Sequence, residues 1–78
     1  MKMATIRIKK SEWAKVKAYE KLANLAKVEH ITGDIWKIET PEEDFLYGSF
    51  AEMMEDIEAN LEAMKELVEP EMWEEAWS

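Results

Sequence analysis

Carboxylates are the most numerous reactive groups in this sequence, with eighteen Asp and Glu against ten Lys and Arg, one His and no Cys. Paired carboxylates can serve as general acid and base, or as the two halves of a glycosidase centre. Such work needs a concave site that holds both across a substrate and perturbs one of them, and a small two-layer fold rarely encloses that cleft. Nucleophiles are few. Ser11 and Ser49 stand where helix caps are expected, and Ser78 is the last residue. The one imidazole, His30, falls in a predicted hairpin and reads as a half-exposed strand side chain. There is no G-x-S-x-G elbow and no thiol. Gly33 and Gly48 stand alone, so no phosphate-cradling loop is present. One His cannot build a zinc site, and Glu42, Glu43 and Asp44 lack EF-hand spacing. The residues predict no catalysis, no cofactor and no metal.

The sharper signal is a row of acids. Glu52, Glu55, Asp56, Glu58, Glu62 and Glu66 fall on one side of a predicted helix, with Lys65 as its only cation. Glu52/Asp56, Glu58/Glu62 and Glu62/Glu66 are like-charge pairs four apart, each costing a few tenths of a kcal/mol in an isolated helix. A solvated face accounts for such a run. A functional reading also fits: residues four apart rise about 6 Å along a helix, and a nucleic-acid strand carries about one charge per 3.4 Å. A groove lined with Lys and Arg for phosphates would accept the row. These six residues are the candidate partner-binding set, and the expected partner is a protein with a basic surface.

The elements that position this row follow from patterning. From Ser49 to Glu69 there is no Gly or Pro, and Phe50, Met53, Met54, Ile57, Leu61, Met64, Leu67 and Val68 share one helical arc. Ser49 and Glu52 form a capping box, and Pro70 closes the segment. Upstream, Ala4 to Lys9 alternates as a strand with Ile6 and Ile8 on one side. Ser11 is the expected cap of a helix from Glu12 to about Lys27, with Ala14, Val16, Ala18, Tyr19, Leu22, Ala23, Leu25 and Ala26 on its apolar arc. Trp13, Lys17, Lys21, Asn24 and Lys27 lie opposite. Val28 to Glu39 reads as a hairpin about Gly33–Asp34. The preferred register pairs Ile31 with Trp36 and Glu29 with Ile38. A three-residue loop would instead pair Val28 with Ile38 and His30 with Trp36. Thr40-Pro41-Glu42-Glu43 carries a helix-start signature, predicting a short helix ending near Gly48 with Phe45, Leu46 and Tyr47 as its packing residues. After Pro70, Trp73 and Trp77 sit four apart on a last helical turn. They are expected to dock on the sheet, with an exposed interface patch as the alternative. The order β-α-β-β-α-α-α predicts an α+β fold in which a small three-stranded, antiparallel-containing sheet packs against helices.

Residues 1–78 form a single small domain, near the lower limit for a self-sufficient core. The net charge of −8 conceals a split: residues 1–38 carry nine cations against four acids, and residues 39–78 carry Lys65 against fourteen acids. There is no membrane-length apolar run, no signal-peptide pattern, and no Cys for a disulfide framework, so a cytoplasmic protein is expected. In size, lack of Cys, acidic helices and absent catalytic residues, the chain resembles the small acidic phage-encoded inhibitors of the anti-CRISPR and DNA-mimic kind. The resemblance covers the whole chain as one of class, and it implies a stoichiometric inhibitor. It carries over no residue roles, and the basic first half departs from a uniformly acidic mimic. Two alternatives remain open. One is a homodimeric regulatory or antitoxin-type protein. The other is nucleic-acid binding through Arg7, Lys9, Trp13, Lys17, Lys21 and Lys27, which the acidic half would oppose. A monomer or homodimer is expected.

Overall fold

The computed structural model describes residues 7–23 and 25–78. Helix α1 (Lys10–Leu22) leads into strands β1 (Lys27–Thr32), β2 (Ile35–Glu39) and β3 (Asp44–Tyr47), followed by helices α2 (Phe50–Leu67) and α3 (Pro70–Ala76). The strands form one antiparallel sheet in the order β1-β2-β3. This is the expected α+β class, although the described order is α-β-β-β-α-α. Ala4 to Ile6 of the expected first strand lie outside the described residues, and Arg7 to Lys9 belong to no regular element.

Two faces make the core. Helix α2 buries Met53, Met54, Ile57 and Leu61 against Trp36 and Ile38 of β2, and α1 adds Val16, Ala18 and Tyr19. Ile8, Leu22, Val28, Phe50, Met64 and Trp73 close its margins. Ser49 caps α2 as expected, its hydroxyl accepting from Glu52 N–H at 3.1 Å, but the Glu52 carboxylate turns to Gly48 N–H (3.2 Å) rather than to Ser49. Leu67, expected on the apolar arc, is 83% exposed in the last turn, beyond the reach of the core.

Helix α1 starts and stops earlier than its sequence pattern suggests. Its cap is Lys9, not Ser11; lacking a side-chain acceptor there, the turn closes through Glu12, whose carboxylate accepts from Lys9 N–H at 3.2 Å. It ends at Leu22, because the chain must reverse to enter the sheet. Leu25 takes a left-handed φ of 69° and lies exposed, while Ala26 is buried outside the helix. The Glu20 carboxylate holds the reversal by accepting from Val28 N–H at 2.9 Å.

The first hairpin turns at Gly33–Asp34, flanked by the Thr32–Ile35 pair, and Gly33 adopts the positive φ (51°) the turn needs. A bulge between His30 and Thr32 then shifts the register, so Val28 faces Ile38 and His30 faces Trp36. The preferred pairing of Ile31 with Trp36 and Glu29 with Ile38 is not formed. It would have set Glu29 on the covered face, where a carboxylate is costly without a partner. The bulge places Glu29 beside Lys37 (3.6 Å) and leaves Ile31 46% exposed.

Residues 40–47 depart further from expectation. Instead of a short helix, Thr40 closes a turn by accepting from Glu43 N–H (3.1 Å) and donating to the Glu43 carbonyl (2.6 Å). Asp44–Tyr47 then continues as β3. A Thr that bonds three residues on can open a helix or a turn equally well. The apolar run Phe45-Leu46-Tyr47, with two aromatic residues, has strand propensity, and β2 offers it a ladder.

Candidate functional site

All six predicted acidic residues are exposed on α2, but the structure divides them. Glu52 accepts from Gly48, Asp56 accepts from the Tyr47 hydroxyl at 2.7 Å, and Glu58 pairs with Lys15 of α1 at 2.7 Å. These three tie α2 to β3, to Gly48 in the link between β3 and α2, and to α1. The Tyr47 bond is reflected in its ionisation: burial first, then the Asp56 hydrogen bond and charge, push its hydroxyl well above the ordinary value of 10.0. Burial, and then Asp56, raise Tyr19 as well. Glu55, Glu62 and Glu66 make no hydrogen bond or ion pair among the described residues. At 100° per residue they point away from the arc of Met53, Ile57 and Leu61.

The basic face is reshaped too. Lys27 belongs to β1, so it does not share the α1 face assigned to it. Lys10 takes its place: Lys10, Trp13, Lys17 and Lys21 are all exposed and line the side of α1 opposite Val16 and Tyr19. Capping the helix at Ser11 and beginning it at Glu12 hid Lys10, although its spacing of seven from Lys17 would have revealed it. The Lys17 ammonium sits 5.3 Å from the Trp13 ring, and Lys21 donates to the Ser78 carbonyl at 3.2 Å.

Trp73 and Trp77 lie side by side, their rings tilted by 60° with centroids 5.5 Å apart, so the spacing of four does bring the two indoles together. Helix α3 docks on α1 rather than the sheet. Trp73 is half-buried and Trp77 is 39% exposed, so the pair is one part packing and one part surface. Both indoles wall a small groove of about 160 Å³ with Lys15, Glu58, Leu61, Glu62 and Lys65. A second groove of about 280 Å³ is lined by Lys21, Leu22, Met72, Glu75 and Ala76.

His30 serves the hairpin: its Nε2–H donates to the Gly33 carbonyl at 2.7 Å, and its ring packs 4.8 Å from that of Trp36. Ser49 is engaged as a cap, and Ser11 lies exposed in the first turn of α1. Among the described residues, no three His, Asp or Glu converge as a metal site, and no helix is long and apolar enough to cross a membrane. No protein-family model, curated protein or solved structure matches the chain.

Proposed function

We propose that this chain is a non-catalytic, stoichiometric binding protein whose α2 row, Glu55, Glu62 and Glu66, engages a basic surface on a partner that handles nucleic acid. The reading extends to an inhibitor of the phage-encoded, anti-CRISPR type acting in the reducing cytoplasm. The observation that supports it is the division of the acids. Glu52, Asp56 and Glu58 have partners within the fold, whereas Glu55, Glu62 and Glu66 have none among the described residues and share one outward line. They ride on an 18-residue helix anchored by Met53, Ile57 and Leu61, so their spacing is held rigid. Carboxylates on such a line act through a field that is screened within about 10 Å at 0.1 M salt. Their effect falls on encounter rate and salt dependence.

The test is capture from cell extract with the parent and the Glu55→Lys/Glu62→Lys/Glu66→Lys variant as baits, at about 50 mM and about 500 mM NaCl. Basic, nucleic-acid-handling proteins should be retained by the parent at low salt. They should be lost both at high salt and with the folded variant. Equal capture by parent and variant at both salts refutes the acidic row, and the Trp73/Trp77 surface then becomes the one to test.

A further inference from the structure

The outer stripe of α1 and the outer stripe of α2 carry opposite charges at the same spacing. On α1, Lys10, Ala14, Lys17 and Lys21 lie at i, i+4, i+7 and i+11. On α2, Glu55, Ala59, Glu62 and Glu66 follow the same steps, and all eight side chains are exposed. On α2 the stripe lies opposite the buried Met53, Ile57 and Leu61; on α1 it lies opposite Val16 and Tyr19, with the buried Ala18 on its flank and Lys21 donating to the Ser78 carbonyl at 3.2 Å. Alternating steps of four and three keep these side chains on one line along each helix, so two parallel helices set them opposite one another layer by layer. We infer that a second copy of this chain is an occupant of the acidic row, with α1 of one copy lying parallel on α2 of the next. Lys10 then meets Glu55, Lys17 meets Glu62 and Lys21 meets Glu66, while Ala14 meets Ala59 and lets the two backbones approach. An antiparallel arrangement keeps Lys10 with Glu66 and Lys21 with Glu55 but sets Lys17 against Ala59 and Glu62 against Ala14, which loses one charge pair and the Ala pair.

A merely solvated acidic face needs no register with a basic face elsewhere in the chain. Here three charges and the small residue between them all agree. The two stripes are different patches, so a copy joined through a single contact keeps one stripe of each sign open: association closes as a two-fold pair or a ring where the geometry permits, and otherwise continues. Assembly would cover the same row that meets a foreign partner, so self-association and partner binding compete. The inference rests on the proposed role of Glu55, Glu62 and Glu66 as a docking row and names a further occupant of it.

The test is sedimentation velocity at rising protein concentration in low salt, with two charge-reversed variants verified as folded by circular dichroism. Variant one is Lys10→Glu/Lys17→Glu/Lys21→Glu, and variant two is Glu55→Lys/Glu62→Lys/Glu66→Lys. The parent should gain mass with concentration, and its apparent dissociation constant should rise about tenfold or more between 0.1 M and 1 M salt, where the screening length falls from about 10 to about 3 Å. Each variant alone should stay monomeric, and an equimolar mixture of the two should associate again. Three reversals at two charges each take the parent's −8 to −14 or to −2. Both variants therefore remain net negative, so association of the mixture reports the stripes and not bulk attraction. A parent that stays monomeric throughout, or self-association that survives either reversal, overturns the inference. The two readings fail separately. A monomeric parent that still captures basic proteins through its acidic row leaves the proposed function standing without the second copy. Self-association with no capture leaves the reverse.

Discussion

Ile57→Ala and Leu67→Ala form a matched pair that asks whether the buried arc of α2 ends where the structure places it. Sequence spacing puts both residues on the same apolar arc, yet Ile57 is 0% exposed and Leu67 is 83% exposed. Truncating Ile57 removes three carbons from a site closed by Met53, Met54 and Leu61. At about 0.8 kcal/mol per buried methylene this is about 2.4 kcal/mol. Incomplete collapse around the vacated volume raises the cost within the usual range of about 2–5 kcal/mol. A domain of this size has a total stability of about 4–12 kcal/mol, so the loss is a large part of it. At about 4–8 °C per kcal/mol, Tm should fall by at least about 10 °C. Leu67→Ala removes nothing from the interior and should change stability by less than about 0.5 kcal/mol. Urea unfolding followed by the fluorescence of the tryptophans, with circular dichroism at 222 nm as a second probe, gives both values. Equal losses in the two variants would show that the buried arc runs on to Leu67, and a cost below about half a kcal/mol for Ile57→Ala would show that this face is not the core.

Two smaller perturbations test the joints around α2. Ser49→Ala removes the side-chain acceptor for Glu52 N–H and should cost about 1 kcal/mol in the same urea experiment; no loss would mean that Gly48 and Glu52 suffice to hold the helix start. Tyr47→Phe deletes the bond to Asp56 and should cost about 0.5–1.5 kcal/mol near neutral pH. Because the folded hydroxyl is raised above its unfolded value near 10, the unfolded chain loses that proton first as pH climbs. The parent's stability should therefore decline above about pH 10, and Tyr47→Phe should flatten part of that decline. Parallel declines in parent and variant would remove Tyr47 as the cause.

The local chemistry of this chain was legible residue by residue. The cap at Ser49, the apolar arc from Phe50 to Met64, the turn at Gly33–Asp34 and the outward acidic row all follow from side-chain type and helical or strand period, which depend only on near neighbours in sequence. What the tertiary structure decided lies where two local answers were equally good. Thr40 can open a helix or close a turn, and only the ladder offered by β2 selects a strand for Asp44–Tyr47. Ile31 and Val28 could each have faced the core, and the bulge chose Val28 because that choice keeps Glu29 in solvent beside Lys37. Helix α1 stops at Leu22 because the chain must turn back into the sheet, a demand its Ala-rich pattern does not record. Glu52 already stood apart in sequence as a capping-box residue, but the other five acids read alike, and only folding separates Asp56 and Glu58, which meet Tyr47 and Lys15, from Glu55, Glu62 and Glu66, which face outward.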